Sequence, residues 1–349
     1  MNRRLSPDVF RIPVEEIKNG FYSDSYFLRT REILLKDHFH RKVMMQIFQR
    51  QEAILCGIDE AIAIIQKCAH NPDKLVVKAL HDGDAIEPWE PVLTIEGDLA
   101  DFSHLETVYL GILSRQTKIA TNVRKVVTAA NGKPVMFFPS RFDHWGVQPG
   151  DGYAARIGGV FGVSTPANGH YWGGEALGTI PHALIATYQG DTVKATLAFD
   201  RHIDPAVNRV ALVDYDNDCA RTSVEVAKAL GGKLWAVRLD TSDSLVDVSV
   251  VPQMGTFRPT GVCGPLVANV RQALDQAGYP HVKIMVSGGF TAERIAEFEA
   301  TNVPADIYAV GASLFRDSVN FTADIVMVDD QPCAKAGRDY RPNPRLELV

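Results

Sequence analysis

From Leu105 onward the chain alternates short apolar runs with stretches of helical periodicity, and almost every run ends in a cluster of polar residues. The runs cover 134–138, 159–163, 176–180, 210–214, 234–240, 282–288 and 306–310. Helical patterns cover 105–130, 182–199, 217–230, 262–277 and 291–300. Strands that alternate with helices predict a parallel sheet joined by right-handed crossovers. No GxGxxG follows the first run, so the pattern predicts a closed or incomplete α/β barrel over 115–317, not an open dinucleotide-binding sheet.

The segment before it has another texture. Residues 43–69 carry apolar positions at helical spacing up to Asn71-Pro72. After them, short apolar runs broken by Asp82-Gly83-Asp84, Pro88 and Gly97 predict antiparallel strands and tight turns. Residues 1–114 are therefore expected to form an α+β unit, completed by the tail 318–349, which holds one more strand and a basic, proline-containing end.

Composition removes several function classes. A formal net charge of -6 argues against a nucleic-acid partner, which needs a basic face. No stretch reaches the roughly 18 apolar residues of a membrane helix. The N-terminus has no apolar core behind Arg3 and Arg4, so it does not read as a secretory signal. Cys56, Cys68, Cys219, Cys263 and Cys333 are dispersed without a CxxC pair, which predicts reduced thiols in a cytoplasmic protein.

A barrel gathers its chemistry at the C-terminal ends of its strands. Ser287-Gly288-Gly289 and, one strand later, Gly311-Ala312 combine small residues with exposed backbone N–H groups, which suits a phosphate. Taken alone, each is an ordinary strand-to-helix turn. Arg238, Asp240 and Asp243 share one strand end and Asp214 closes the preceding run, a set that suits Mg²⁺ or sugar hydroxyls with an arginine for an anion. Phe138 and Arg141 could hold a flat anionic ring, or be a core phenylalanine and a solvated arginine. Thr179 and His182 face the same mouth.

These segments, with Phe21-Tyr22-Ser23-Asp24-Ser25-Tyr26 near the start and the AKAGR element in the tail, resemble in order and spacing the nicotinate phosphoribosyltransferases, a type II phosphoribosyltransferase family. The resemblance implies an irregular, incomplete α/β barrel plus a sandwich-like α+β domain built from both termini. It implies transfer of phosphoribose from phosphoribosyl pyrophosphate to nicotinate, with Mg²⁺ as cofactor and ATP as co-substrate. It also implies a homodimer or larger homo-oligomer with shared sites. Carried over by position, Tyr22 and Phe138 sandwich the ring, Arg141 binds phosphate, and Thr179 and Arg238 contact substrate. Asp214, Asp240 and Asp243 hold ribose hydroxyls, with Asp240 and Asp243 as candidate Mg²⁺ ligands. Ser287, Gly288, Gly289, Gly311 and Ala312 cradle the 5′-phosphate, and His182 matches the histidine phosphorylated by ATP. Lys335 and Arg338 supply positive charge to a partner subunit. Ser140-Arg141 stands where larger members carry two adjacent arginines. The alternatives are a decarboxylating quinolinate phosphoribosyltransferase, although no TRK-type strand end is present, and a non-catalytic pyridine-nucleotide-binding barrel.

Overall fold

Val43, Met45 and Ile47 all enter one apolar cluster, and this period of two makes Lys42–Phe48 a strand. It overturns the helical periodicity expected there: the helix begins only at Ile58, after Gly57 turns the chain at φ +98°. A Cβ at Gly57 would come 3.1 Å from the Ile112 side chain and 3.2 Å from its carbonyl, so glycine is needed for both conformation and space. The computed structural model describes residues 4–349; positions 1–3, part of the expected N-terminal domain, lie outside the described residues.

The chain divides into two units. Met1–Asn122, Tyr153–Gly158 and Asp317–Val349 form the first, and Val123–Gly152 with Gly159–Arg316 form the second. The sequence placed these boundaries at 114 and 317. The helix Glu106–Ala129 carries the chain from one unit to the other, and a continuous helix leaves no compositional mark of the crossing.

The first unit holds a six-stranded antiparallel sheet in the order Gln331–Pro332, Thr322–Val328, Lys42–Phe48, Leu93–Asp98, Val76–Ala79, Glu347–Leu348. Three of these strands come from the tail. A second sheet is only the ribbon of Ala53–Ile54 with Ala85–Ile86. Ile58, Ile62 and Ile65 of the helix Ile58–Cys68 share one apolar cluster with Val43, Ile47 and Ile95 of the sheet. Asp82, fully enclosed, accepts hydrogen bonds from the N–H groups of Ile58 (2.9 Å) and Asp59 (3.4 Å), which caps that helix. Burial, reinforced by the Asp59 charge, pushes the Asp82 carboxyl upward.

The second unit is built on six parallel strands in the order Gly162–Val163, Val135–Phe137, Ile307–Val310, Lys283–Val286, Leu234–Leu239, Arg209–Leu212. The sheet curls as a half-barrel around Met136, Val210, Ala236, Met285, Ile307 and Ala309. The expected strand over 176–180 contributes only a bridge from Ala176 to Val163 and a bond from Leu177 N–H to the Val163 carbonyl. Gly173, Gly174 and Gly178 weaken an extended run there, and Pro181 ends it, so the barrel stays incomplete. The helix expected over 182–199 is two helices, His182–Thr187 and Thr192–His202. Gly190 at φ +84° stops the first, and Asp191 caps the second through Lys194 N–H at 2.9 Å. Among the described residues, no helix is long and apolar enough to cross a membrane.

Candidate active site

The C-terminal ends of the parallel strands surround a cavity of about 720 Å³ within the second unit. Its best-defined group is Arg238, near the end of Leu234–Leu239. The side chain is only 17% exposed. Nε donates to Ser287 Oγ (2.9 Å), Nη1 to Thr179 Oγ1 (3.2 Å) and Nη2 to Asp240 Oδ2 (3.0 Å). The guanidinium carbon lies 5.4 Å over the Phe138 ring. Ser287 in turn donates to Asp240 Oδ1 at 2.7 Å. Two strand ends and the Thr179 segment thus fix one cation against one aromatic face, leaving two of its five N–H donors for a ligand.

Beside Arg238, the turn after Lys283–Val286 places Gly288 and Gly289 at φ +88° and +70°, the left-handed region that glycine enters without strain. Among the described residues, the N–H groups of Gly288, Gly289 and Phe290 donate to no backbone carbonyl, and neither do those of Gly311 and Ala312. All five residues line the cavity. A Cβ on Gly311 would come 3.1 Å from the Phe142 ring, so that strand end also has no room for a side chain. A double row of unpaired N–H groups is what an anion of several oxygens requires.

His182 lines the cavity and opens its short helix, with Nε2 3.0 Å from Asp214 Oδ2. His182 is 46% exposed and Asp214 6%. Burial raises the Asp214 carboxyl above its ordinary range, and the nearby His182 offsets part of that rise. Asp214 Oδ1 is buried with no hydrogen-bond partner among the described residues. Asp214 therefore stands behind the histidine and is not itself part of the cavity wall.

Phe138, Arg141, Thr179, His182, Arg238, Asp240, Ser287, Gly288, Gly289, Gly311 and Ala312, all anticipated from the sequence, share this one wall. Asp243 does not. Its side chain is 61% exposed and faces Arg258 at 3.9 Å. Tyr22, Lys335 and Arg338 belong to the first unit: Tyr22 donates to Glu16 at 2.8 Å, Lys335 is exposed, and Arg338 pairs with Asp324 at 2.9 Å. Sequence reasoning missed Gln148, Phe142 and Arg316, which also line the cavity. Ser140, Ser164 and Thr165 are polar strand-end residues to which the sequence assigned no role. Here they form a hydroxyl-rich wall, Ser140 Oγ lying 3.0 Å from Ser164 Oγ and Thr165 donating to Gln148 at 2.9 Å. Gln148 carries no local signal, because only the fold brings it to the mouth.

Asp240 is the one predicted Mg²⁺ ligand on the cavity wall. Each of its oxygens accepts one hydrogen bond and keeps lone pairs free. Among the described residues, no group of three or more His, Cys, Asp or Glu side chains converges as a cation cage. The donor set fits a hard cation that arrives on substrate oxygens and takes at most one carboxylate here.

Comparison with known proteins matches two family models, the quinolinate phosphoribosyl transferase N-terminal domain over residues 24–117 and the C-terminal domain over residues 119–328. A nicotinate phosphoribosyltransferase of Mycobacterium tuberculosis is 29% identical over 271 residues, which is 75% of this chain and 56% of the relative. That of Bacillus subtilis is 23% identical over 337 residues, 84% of this chain and 63% of the relative. The chain thus spans little more than half the length of these curated relatives. The crystal structure of a nicotinate-nucleotide pyrophosphorylase from Pyrococcus furiosus superposes with a TM-score of 0.83 at 37% identity, covering 97% of this chain and 85% of the other. Human nicotinic acid phosphoribosyltransferase shares the fold alone, with a TM-score of 0.70 at 16% identity over 89% of this chain and 76% of the other. The half-barrel, its strand-end cavity and the two matched domains place this chain in the quinolinate phosphoribosyl transferase family of type II phosphoribosyltransferases.

Proposed function

We propose that the protein transfers phosphoribose from phosphoribosyl pyrophosphate to nicotinate, giving nicotinate mononucleotide and pyrophosphate. The observation that carries this reading is Arg238, held over Phe138 by Ser287, Thr179 and Asp240 next to the unpaired N–H groups of the glycine turn. A flat ring bearing one carboxylate suits the Phe138 face and the two free Arg238 donors. A 5′-phosphate suits the Gly288–Gly289 and Gly311–Ala312 turns.

In this reaction the pyridine nitrogen lone pair forms the bond to the anomeric carbon as the bond to the pyrophosphate oxygen breaks. Positive charge develops on the ribose, and the Asp240 carboxylate is our candidate to offset it. Mg²⁺ bound to the pyrophosphate would neutralise leaving-group charge. Positioning supplies most of the acceleration, since no strong base is needed. His182, with one ring nitrogen engaged by Asp214, is our candidate for phosphorylation by ATP, which would bias the reversible step toward product. Replacing His182 by Asn should abolish the ATP-dependent rise in product yield; an unchanged rise would remove ATP coupling from the reading.

We further propose that two copies assemble. Phe21, Tyr22 and Tyr26 are exposed, and the helix Ser25–Lys36 buries no residue, an apolar surface that a second copy would cover. Tyr22, Lys335 and Arg338 would then serve the partner's cavity. Four of the five thiols are buried and Cys333 is exposed without a disulfide, which suits the reducing cytoplasm.

A second reading is the decarboxylating use of quinolinate, favoured by the Pyrococcus furiosus pyrophosphorylase that aligns with 97% of this chain. Purified protein with phosphoribosyl pyrophosphate and Mg²⁺ should be offered nicotinate, nicotinamide and quinolinate separately, with and without ATP. Mononucleotide from nicotinate supports the first reading, and mononucleotide with CO₂ release from quinolinate supports the second. No mononucleotide from any base overturns both and leaves a non-catalytic binding barrel.

A further inference from the structure

Behind the glycine turn, on the side away from the cavity, lies a side chain that the reaction itself does not use. Arg294, in the first turn of the helix Ala292–Ala300, donates through Nη1 to the Gly288 carbonyl at 3.0 Å and reaches the Gly289 carbonyl at 3.5 Å. Nη2 donates to the Val262 carbonyl at 2.8 Å. The guanidinium lies 4.5 Å over the Phe290 ring and 5.9 Å over Phe298, which locks its direction. Arg294 is absent from the cavity wall, whereas Gly288, Gly289, Phe290 and Thr291 belong to it.

In a trans peptide the C=O and the N–H of the same plane point in opposite directions. Drawing the Gly288 carbonyl toward Arg294 therefore turns the Gly289 N–H away from it, and the same holds for the Gly289 carbonyl and the Phe290 N–H. These N–H groups are among those with no carbonyl partner in the described residues. Two successive left-handed residues have no intrinsic reason to keep this orientation, because glycine enters either side of φ with little cost.

We propose that Arg294 is a positioning residue that holds the phosphate-binding turn with its N–H groups facing the cavity, a role that rests on the phosphoribosyl reading above. Arg294 touches no reacting atom. It acts by fixing both peptide planes before ligand arrives, so that binding does not have to order them.

The test uses the full chain, with ribose 5-phosphate and nicotinate as separate probes in titration calorimetry, and KM and kcat measured for phosphoribosyl pyrophosphate. Arg294→Met keeps an apolar stem against Phe290 and Phe298 but removes all three carbonyl bonds, to Gly288, Gly289 and Val262. It should weaken ribose 5-phosphate binding and raise the KM for phosphoribosyl pyrophosphate by about tenfold, with nicotinate binding and kcat within about twofold. Arg294→Lys, which keeps a single donor group, should fall between Met and the parent, and it decides the matter if the Met variant does not fold. Unchanged ribose 5-phosphate binding in the Lys and Met variants overturns the proposal, as does an equal loss of both probes. A parent protein that binds no ribose 5-phosphate at all instead overturns the phosphoribosyl reading itself.

Discussion

The two ends of the parallel sheet each carry a nearly buried arginine, and the two have opposite fates. Arg209 begins Arg209–Leu212 and is 5% exposed. It spends all five N–H donors on its own surroundings: the Asp200 carboxylate at 3.1 Å and the carbonyls of Asp200, Ile203, Asp204 and Val207. Arg238, near the opposite end of the neighbouring strand, spends three and keeps two. A buried guanidinium is therefore no sign of function on its own. What separates the two is whether its valences are closed by the fold or left facing a cavity.

The sharpest way to break this comparison is to remove each cation in turn. Arg238→Met should lower kcat/KM by about a thousandfold or more, with only a small change in melting temperature. Arg209→Met leaves four carbonyls without their donor and the Asp200 carboxylate with Lys233 alone, and should cost about 3–5 kcal/mol of stability by denaturant unfolding. The KM of its folded fraction should match the parent. Parallel losses from both variants would mean that the two arginines do the same job.

A smaller effect is expected at the turn. Gly289→Ala forces a left-handed φ on an L residue, at about 1–2 kcal/mol, and puts a methyl 3.4 Å from Asp243 and 3.6 Å from Arg294. Steady-state kinetics should show KM for phosphoribosyl pyrophosphate rising by about ten- to thirtyfold. Smaller again is Ser287→Ala, which takes a hydrogen bond from both Arg238 and Asp240. It should cost about tenfold in kcat/KM; an unchanged value would mean that Arg238 needs no serine to hold it.

The smallest effect is a contrast in pH dependence between a carboxylate at each end. Lys233 and Arg209 hold the Asp200 carboxyl below its ordinary value of 3.8, so its contribution to stability is present above that pH and fades on acidification. Burial raises Asp214 above the same value, so its contribution is present in acid and fades as pH climbs through the raised value. Melting curves from about pH 2 to 8 should show Asp200→Asn losing ground to the parent as pH rises through the acid end, and Asp214→Asn gaining it above about pH 4. Curves that run in parallel would dissolve the contrast.

Much of the site was legible because a parallel sheet delivers every strand end to one face. Phe138, Arg238, Asp240 and the two small-residue turns stand at or just past the ends of apolar runs, where a sequence alone reveals them. Asp243, three residues past Asp240, is 61% exposed, facing Arg258 at 3.9 Å and lying close to Gly289 without joining the cavity wall. Arg294 was invisible, since an arginine inside an ordinary helix pattern reads as a solvated side chain until the backbone carbonyls around it are known. Gln148 and Asn168 were hidden by distance in the chain, Asn168 taking the Ser140 hydroxyl at 2.6 Å. In the fold, the failed strand over 176–180 shows that an apolar run needs backbone stiffness as well as hydrophobicity to join a sheet. The break at Gln189-Gly190-Asp191 was written in the sequence and overridden by the apolar period around it.

The antiparallel sheet of the first unit has a consequence for how the protein is made. Lys42–Phe48 pairs on one side with Leu93–Asp98 and on the other with Thr322–Val328, synthesised roughly 270 residues later. At ordinary elongation rates that interval is on the order of tens of seconds. Throughout it the nascent chain carries an open strand edge bearing Met45 and Ile47, the kind of template on which neighbouring chains on a polysome associate. Yield from a cell should therefore depend on how fast the ribosome reaches the tail and on chaperone capacity during the wait, more than on the stability of the finished molecule.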